Sequence, residues 1–73
     1  MPVLTVYMEK GRPIEMKRAL THAVTKAVTA ALDVPPEWVT IIIDEVEHEN
    51  WAVGGQLQLD KLDPGYGKTG VRH

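Results

Sequence analysis

Residues 14–32 read Ile-Glu-Met-Lys-Arg-Ala-Leu-Thr-His-Ala-Val-Thr-Lys-Ala-Val-Thr-Ala-Ala-Leu. Met16, Leu20, Ala23, Val24, Ala27, Val28 and Ala31 recur at three- and four-residue spacing, the period of an amphipathic α-helix of about five turns. Lys17, Arg18, Thr21, His22, Thr25, Lys26 and Thr29 are expected mostly on the opposite, solvated side. Pro13 is suited to a helix start, because a first-turn residue needs no N–H donor. Pro35 and Pro36 remove donors and force Val34 towards extended backbone, so the helix stops near Asp33.

Both flanks of this helix read as strands. Upstream, Val3-Leu4-Thr5-Val6-Tyr7-Met8 is apolar or aromatic at nearly every position, as in a strand covered on both faces. Downstream, Val39-Thr40-Ile41-Ile42-Ile43-Asp44-Glu45-Val46 has a β-branched centre. Strand, helix and strand joined by short links form a βαβ unit, which implies parallel strands and a right-handed crossover. Farther on, Gly54-Gly55 between Trp51-Ala52-Val53 and Gln56-Leu57-Gln58-Leu59 reads as a tight hairpin. The fold class is therefore α/β: a small β-α-β subunit with a C-terminal β-hairpin over residues 1–59. Residues 60–73 form a tail that either lies over a neighbouring subunit or is disordered.

One helix covers one face of a two-stranded sheet, yet apolar side chains project from both faces of 39–46. The size of the chain points the same way. For 73 residues, burial of about 7,200 Å² on folding contributes roughly 108 kcal/mol if about 60% of it is apolar. Ordering the chain costs roughly 110 kcal/mol. The two cancel, and with cysteine absent there is no disulfide or thiolate-held zinc to add stability. Burial between subunits supplies the difference, so a homo-oligomer is expected.

Composition excludes several classes. Charged residues make up 25% and apolar residues 44% of the chain, which fits a folded domain and not a disordered one. A net charge of −2 offers no basic footprint for nucleic acid. The longest apolar run is Ile41-Ile42-Ile43, far too short to span a membrane. Met1-Pro2-Val3-Leu4 shows no signal-type stretch, and a cytoplasmic location is expected. His22, His48 and His73 lack metal-ligand spacing, so no metal is expected. Gly67-Lys68-Thr69 lacks the upstream glycine and the following helix of a phosphate loop. Asp44 and Glu45 are adjacent on a strand and point to opposite faces, so they are not a carboxylate pair.

Chemistry centres on Pro2. A proline after Met1 is common and by itself carries no function. With Met1 removed, however, Pro2 becomes a secondary amine held on a rigid ring at the end of a buried strand. An apolar pocket or a nearby guanidinium lowers the pKa of such an amine, which makes it a neutral general base near neutral pH. With Met1 attached the nitrogen is a tertiary amide and has no basic lone pair.

Pro2 opening a strand, Gly11-Arg12 after it, Leu32-Asp33, Pro35, Ile42-Ile43-Asp44-Glu45 and Trp51-Ala52-Val53-Gly54-Gly55 follow one another in an order and spacing that closely resembles the 4-oxalocrotonate tautomerase family. The resemblance runs without gaps from Pro2 to about Leu59. It implies a β-α-β subunit assembled as a homohexamer, usually a trimer of dimers, acting as a cofactor-independent isomerase on a small enol or keto carboxylate. By the same resemblance Pro2 matches the catalytic base and Arg12 the residue that grips a substrate carboxylate. Trp51 stands where the family usually has a phenylalanine lining the pocket. Arg12 also reads as an ordinary solvated loop charge, and Trp51 as interface packing. Thr40 occupies the position of a second arginine in prototype members. Threonine has no charge and a short reach, so a monocarboxylated or aromatic enol fits better than a dicarboxylated dienol, and Thr40 is left with a hydroxyl contact. Alternative readings are a hydratase or dehalogenase of unsaturated acids, with Glu9 or Glu45 positioning water, and a non-catalytic ligand-binding oligomer.

Overall fold

A computed structural model of the chain describes residues 1–63. Strand β1 (Val3–Glu9) leads through Gly11 into helix α1 (Ile14–Leu32), a single 3₁₀ turn (Pro36–Trp38) and strand β2 (Thr40–Val46). A second 3₁₀ turn (His48–Asn50) precedes the hairpin strands β3 (Ala52–Val53) and β4 (Gln56–Leu57) and a short helix α2 (Gln58–Leu62). β1 and β2 pair in parallel from Val3 opposite Thr40 to Glu9 opposite Val46. β3 and β4 pair antiparallel. The expected βαβ unit and C-terminal hairpin are both present.

Local chemistry explains the boundaries. Pro13 sits just ahead of α1 and its carbonyl accepts the N–H of Met16 at 3.1 Å. Asp33 ends the helix in the left-handed region at φ 54°, a conformation that short polar side chains tolerate. The following prolines then prevent any restart of the helix. Val39 donates its N–H to Pro36, so β2 starts at Thr40 and not at Val39. Gly54 and Gly55 both have positive φ, 62° and 81°, as a two-residue hairpin turn of this type requires.

Two expectations are corrected. The hairpin ends at Leu57, not Leu59: Gln58 donates its N–H to the Trp51 carbonyl at 2.7 Å, and from there Gln58–Leu62, good helix formers apart from Asp60, turn into α2. The buried stripe of α1 is also rotated from the expected one. Leu20, Val24 and Val28 are half-buried as expected, but Lys17, Thr21, Thr25 and Thr29 share that face, while Met16, Ala23, Ala27 and Ala31 are exposed. Threonine fits here because its hydroxyl turns back on the helix. Thr21 Oγ1 donates to the Arg18 carbonyl at 3.0 Å and Thr29 Oγ1 to the Lys26 carbonyl at 2.9 Å. That satisfies the polar atom locally.

Glu45 forms an ion pair with Lys17 of α1, which places Ile41, Ile43 and Glu45 on the helix side of the sheet. Leu4, Val6 and Met8 are half-buried beside them. The other face carries Val3, Thr5, Tyr7, Thr40, Ile42 and Asp44, all exposed, with Val3 at 61%, Tyr7 at 63% and Ile42 at 51%. Among the described residues not one is fully buried. A single protomer is thus half a structure: a helix on one side of a sheet whose other side is apolar and open. No helix among the described residues is long and apolar enough to cross a membrane.

Candidate active site

Pro2 precedes β1 and is half-buried. Its carbonyl accepts the backbone N–H of Thr40 at 3.0 Å, which ties the proline to the start of β2. The Thr40 side chain is exposed on the open face, directly across from Val3. Pro2 and Thr40 are therefore neighbours, brought together by the parallel register.

Arg12 and Trp51 occupy the opposite end of the sheet. Arg12 is exposed and follows Gly11, whose φ of 125° turns the chain out of β1. Its Nη1 donates to the Glu9 carbonyl at 3.4 Å. Trp51 is half-buried in extended backbone between the second 3₁₀ turn and β3. The seven residues of β1 span about 23 Å at 3.3 Å per residue, well beyond the reach of an arginine side chain. One protomer does not bring Arg12 or Trp51 to Pro2. A site that used all three would need more than one protomer.

The carboxylates near Arg12 divide into two groups. Glu45 faces α1, accepts from Lys17 Nζ and the Gly11 N–H, and its pKa is lowered, first by the Lys17 hydrogen bond and partly offset by desolvation. Glu9 is half-buried, with its Oε2 at 4.0 Å from His48 Nδ1. Lys10 pairs with Glu47 at 3.1 Å on the same edge. His48 drew attention in the sequence only as a non-ligand. Its closeness to Glu9 follows from the strand register, which sets Glu9 against Val46 two residues earlier. Lys68 and Arg72, basic residues with the charge that Thr40 lacks, lie outside the described residues.

The family model for the tautomerase enzymes matches residues 2–60. The chain belongs to the tautomerase family. It is 41% identical over 61 residues to a probable tautomerase of Bacillus cereus, an alignment covering 84% of this chain and 100% of that one. It is 38% identical over 55 residues to the 2-hydroxymuconate tautomerase of Comamonas testosteroni, covering 75% and 87%. A heterohexameric 4-oxalocrotonate tautomerase from Chloroflexus aurantiacus superposes with a TM-score of 0.79 at 40% identity, covering 82% of this chain and 97% of that one. The tautomerase fold of this chain thus agrees with the resemblance read from Pro2 to Leu59, and these relatives are named as tautomerases.

Proposed function

We propose that this tautomerase-family chain catalyses a cofactor-independent 1,3-proton transfer on a 2-hydroxydienoate or enol-pyruvate type carboxylate. It does so in the cytoplasm as a homohexamer, a trimer of dimers. The acting unit is residues 1–59, with 60–73 as an appended tail. The observation that carries the reading is the position of Pro2, tied by its carbonyl to Thr40 at 3.0 Å while Met1 stands 82% exposed and open to removal.

Freed of Met1, the Pro2 nitrogen takes the enol O–H proton and returns it to the β-carbon, so that one O–H bond breaks, one C–H bond forms and the ketone results. Arg12 of a neighbouring protomer binds the carboxylate through paired charge-assisted hydrogen bonds. Trp51 walls the pocket, and its apolar ring keeps the amine uncharged. Thr40, beside Pro2, contributes a hydroxyl contact in place of the second arginine. Loss of such a charged donor costs about 2.7 to 4 kcal/mol of transition-state stabilisation, which favours a monocarboxylated or aromatic enol as substrate.

The deciding experiment measures ketonisation of phenylenolpyruvate by the processed protein, together with its intact mass. Turnover by a chain lighter by one methionine supports the reading. A native chain that keeps Met1 and shows no turnover leaves a ligand-binding oligomer.

One observation bears on the hydratase or dehalogenase reading. Glu45 is held by Lys17 and the Gly11 N–H on the helix side, which leaves Glu9, at the Arg12 end of β1, as the carboxylate to orient water. Release of halide from a 3-haloacrylate, lost in Glu9→Gln and retained in Glu45→Gln, would select that reaction.

A further inference from the structure

Proton transfer makes no use of one side-chain pair at the Arg12 end of the sheet. His48 opens the 3₁₀ turn that delivers Trp51, and its Nδ1 lies 4.0 Å from Glu9 Oε2. Among the described residues Nδ1 is buried without a hydrogen-bond partner, although the two side chains as wholes are 32% and 27% exposed. A gap of this length is too wide for a hydrogen bond. It is narrow enough to close when both ring nitrogens carry protons and the imidazolium faces a carboxylate. Glu9 also lends its carbonyl to Arg12 Nη1 at 3.4 Å. One residue therefore touches both arms of the proposed pocket: Arg12 through its backbone, and the Trp51 turn through its carboxylate.

We propose that His48 and Glu9 form a proton-operated latch, in which protonated His48 draws onto the Glu9 carboxylate and fixes Trp51 and Arg12 in position to bind the substrate carboxylate. The role in substrate binding rests on the tautomerase reading above. His48 is a positioning residue and touches no reacting atom. The charged groups around it are Glu9 from β1, and Glu47 and Glu49 from its own turn and approach. Lys10 is paired to Glu47 at 3.1 Å, and Asp60 and Lys61 belong to α2, which packs against the turn.

The test uses the whole processed protein. KM and kcat for phenylenolpyruvate are measured between about pH 5 and 8, where histidine side chains change charge. Wild type is compared with His48→Gln, Glu9→Gln and, as a control, His22→Gln. KM should fall about fivefold towards acid in wild type, the scale of a partly exposed ion pair. The same fall should persist in His22→Gln and vanish in His48→Gln and Glu9→Gln, with the pH profile of kcat unchanged in shape. A second readout needs no turnover. In a Trp38→Phe background the emission of Trp51 should change with pH, and that change should disappear in either His48→Gln or Glu9→Gln. Persistence of the KM fall or of the emission change in His48→Gln overturns the latch, as does a Trp51 emission that ignores pH. Absence of turnover with an emission change that depends on His48 and Glu9 overturns the tautomerase reading and leaves the latch standing.

Discussion

The backbone N–H of Thr40 donates to the carbonyl of Pro2 at 3.0 Å. This bond extends the parallel ladder one step beyond Val3 and holds the proline ring at a fixed place on the sheet edge. A general base needs that restraint, because proton transfer depends on a donor and acceptor meeting within hydrogen-bond distance. Pro2→Ala keeps a free terminus but loses the ring. It should reduce kcat for ketonisation of phenylenolpyruvate by at least about a hundredfold, the low end for a general base. Equal rates in variant and wild type would remove Pro2 from the mechanism.

Arg12 projects from the loop after Gly11, and its Nη1 donates to the Glu9 carbonyl at 3.4 Å. Replacing it by alanine removes both hydrogen bonds to the substrate carboxylate. KM should rise about 10- to 100-fold, in line with charged hydrogen bonds. Arg12→Lys should recover only part of this, since an ammonium cannot form the paired contact. Steady-state kinetics on the three proteins check the order.

Thr40 is exposed beside Pro2 in the single protomer. Thr40→Arg should raise kcat/KM for a dicarboxylated dienol on the order of a hundredfold, the effect attached to a charged donor at a developing oxyanion. An unchanged preference for monocarboxylates would show that some other residue sets the substrate.

The open sheet face tests assembly. Ile42 is 51% exposed in the protomer and lies between Thr40 and Asp44 on that face. Ile42→Asp places an unpaired charge in the proposed interface, at a cost of at least about 2 kcal/mol per subunit. Sedimentation should show the hexamer replaced by smaller species, with helical signal lost at the same dilution. A hexamer of undiminished stability would mean that this face is not where subunits meet.

Acid should act through the Lys17–Glu45 pair. The Glu45 pKa in the folded chain is lowered, chiefly by the Lys17 hydrogen bond. Its stabilising effect is therefore present above the ordinary glutamate range and is lost as pH falls through the lowered value. Glu45→Gln should be less stable than wild type near neutral pH, and the difference should close on acidification. Denaturant unfolding followed from neutral to acid pH measures that closing gap.

Elements written in local chemistry were legible from the sequence. Pro35-Pro36 announced the end of α1, Gly54-Gly55 announced the hairpin, and Ile41-Ile42-Ile43 with Val3–Met8 gave two strands that one helix could not cover. The helix stripe was misplaced because threonine counts as polar in a pattern, whereas in the folded helix Thr21 and Thr29 turn their hydroxyls back on the backbone. Polar and apolar residues alternate through Leu59 as in a strand, whereas the bond from Gln58 N–H to the Trp51 carbonyl turns the chain there. The separation of Pro2 from Arg12 could be counted along β1, but its meaning required the parallel register. The Glu9–His48 pair needs that register as well, since nothing in the 38 intervening positions foretells contact.

Because β1 separates Pro2 from Arg12, the proposed mechanism leaves no single chain with a complete set of working parts. Two inactive variants, Pro2→Ala and Arg12→Ala, should therefore rescue each other when unfolded together and reassembled. Random mixing in a closed ring of like subunits would pair an intact proline with an intact arginine in on the order of a quarter of the pockets. On that mechanism activity is a property of neighbours, inherited by each subunit only through the company it keeps.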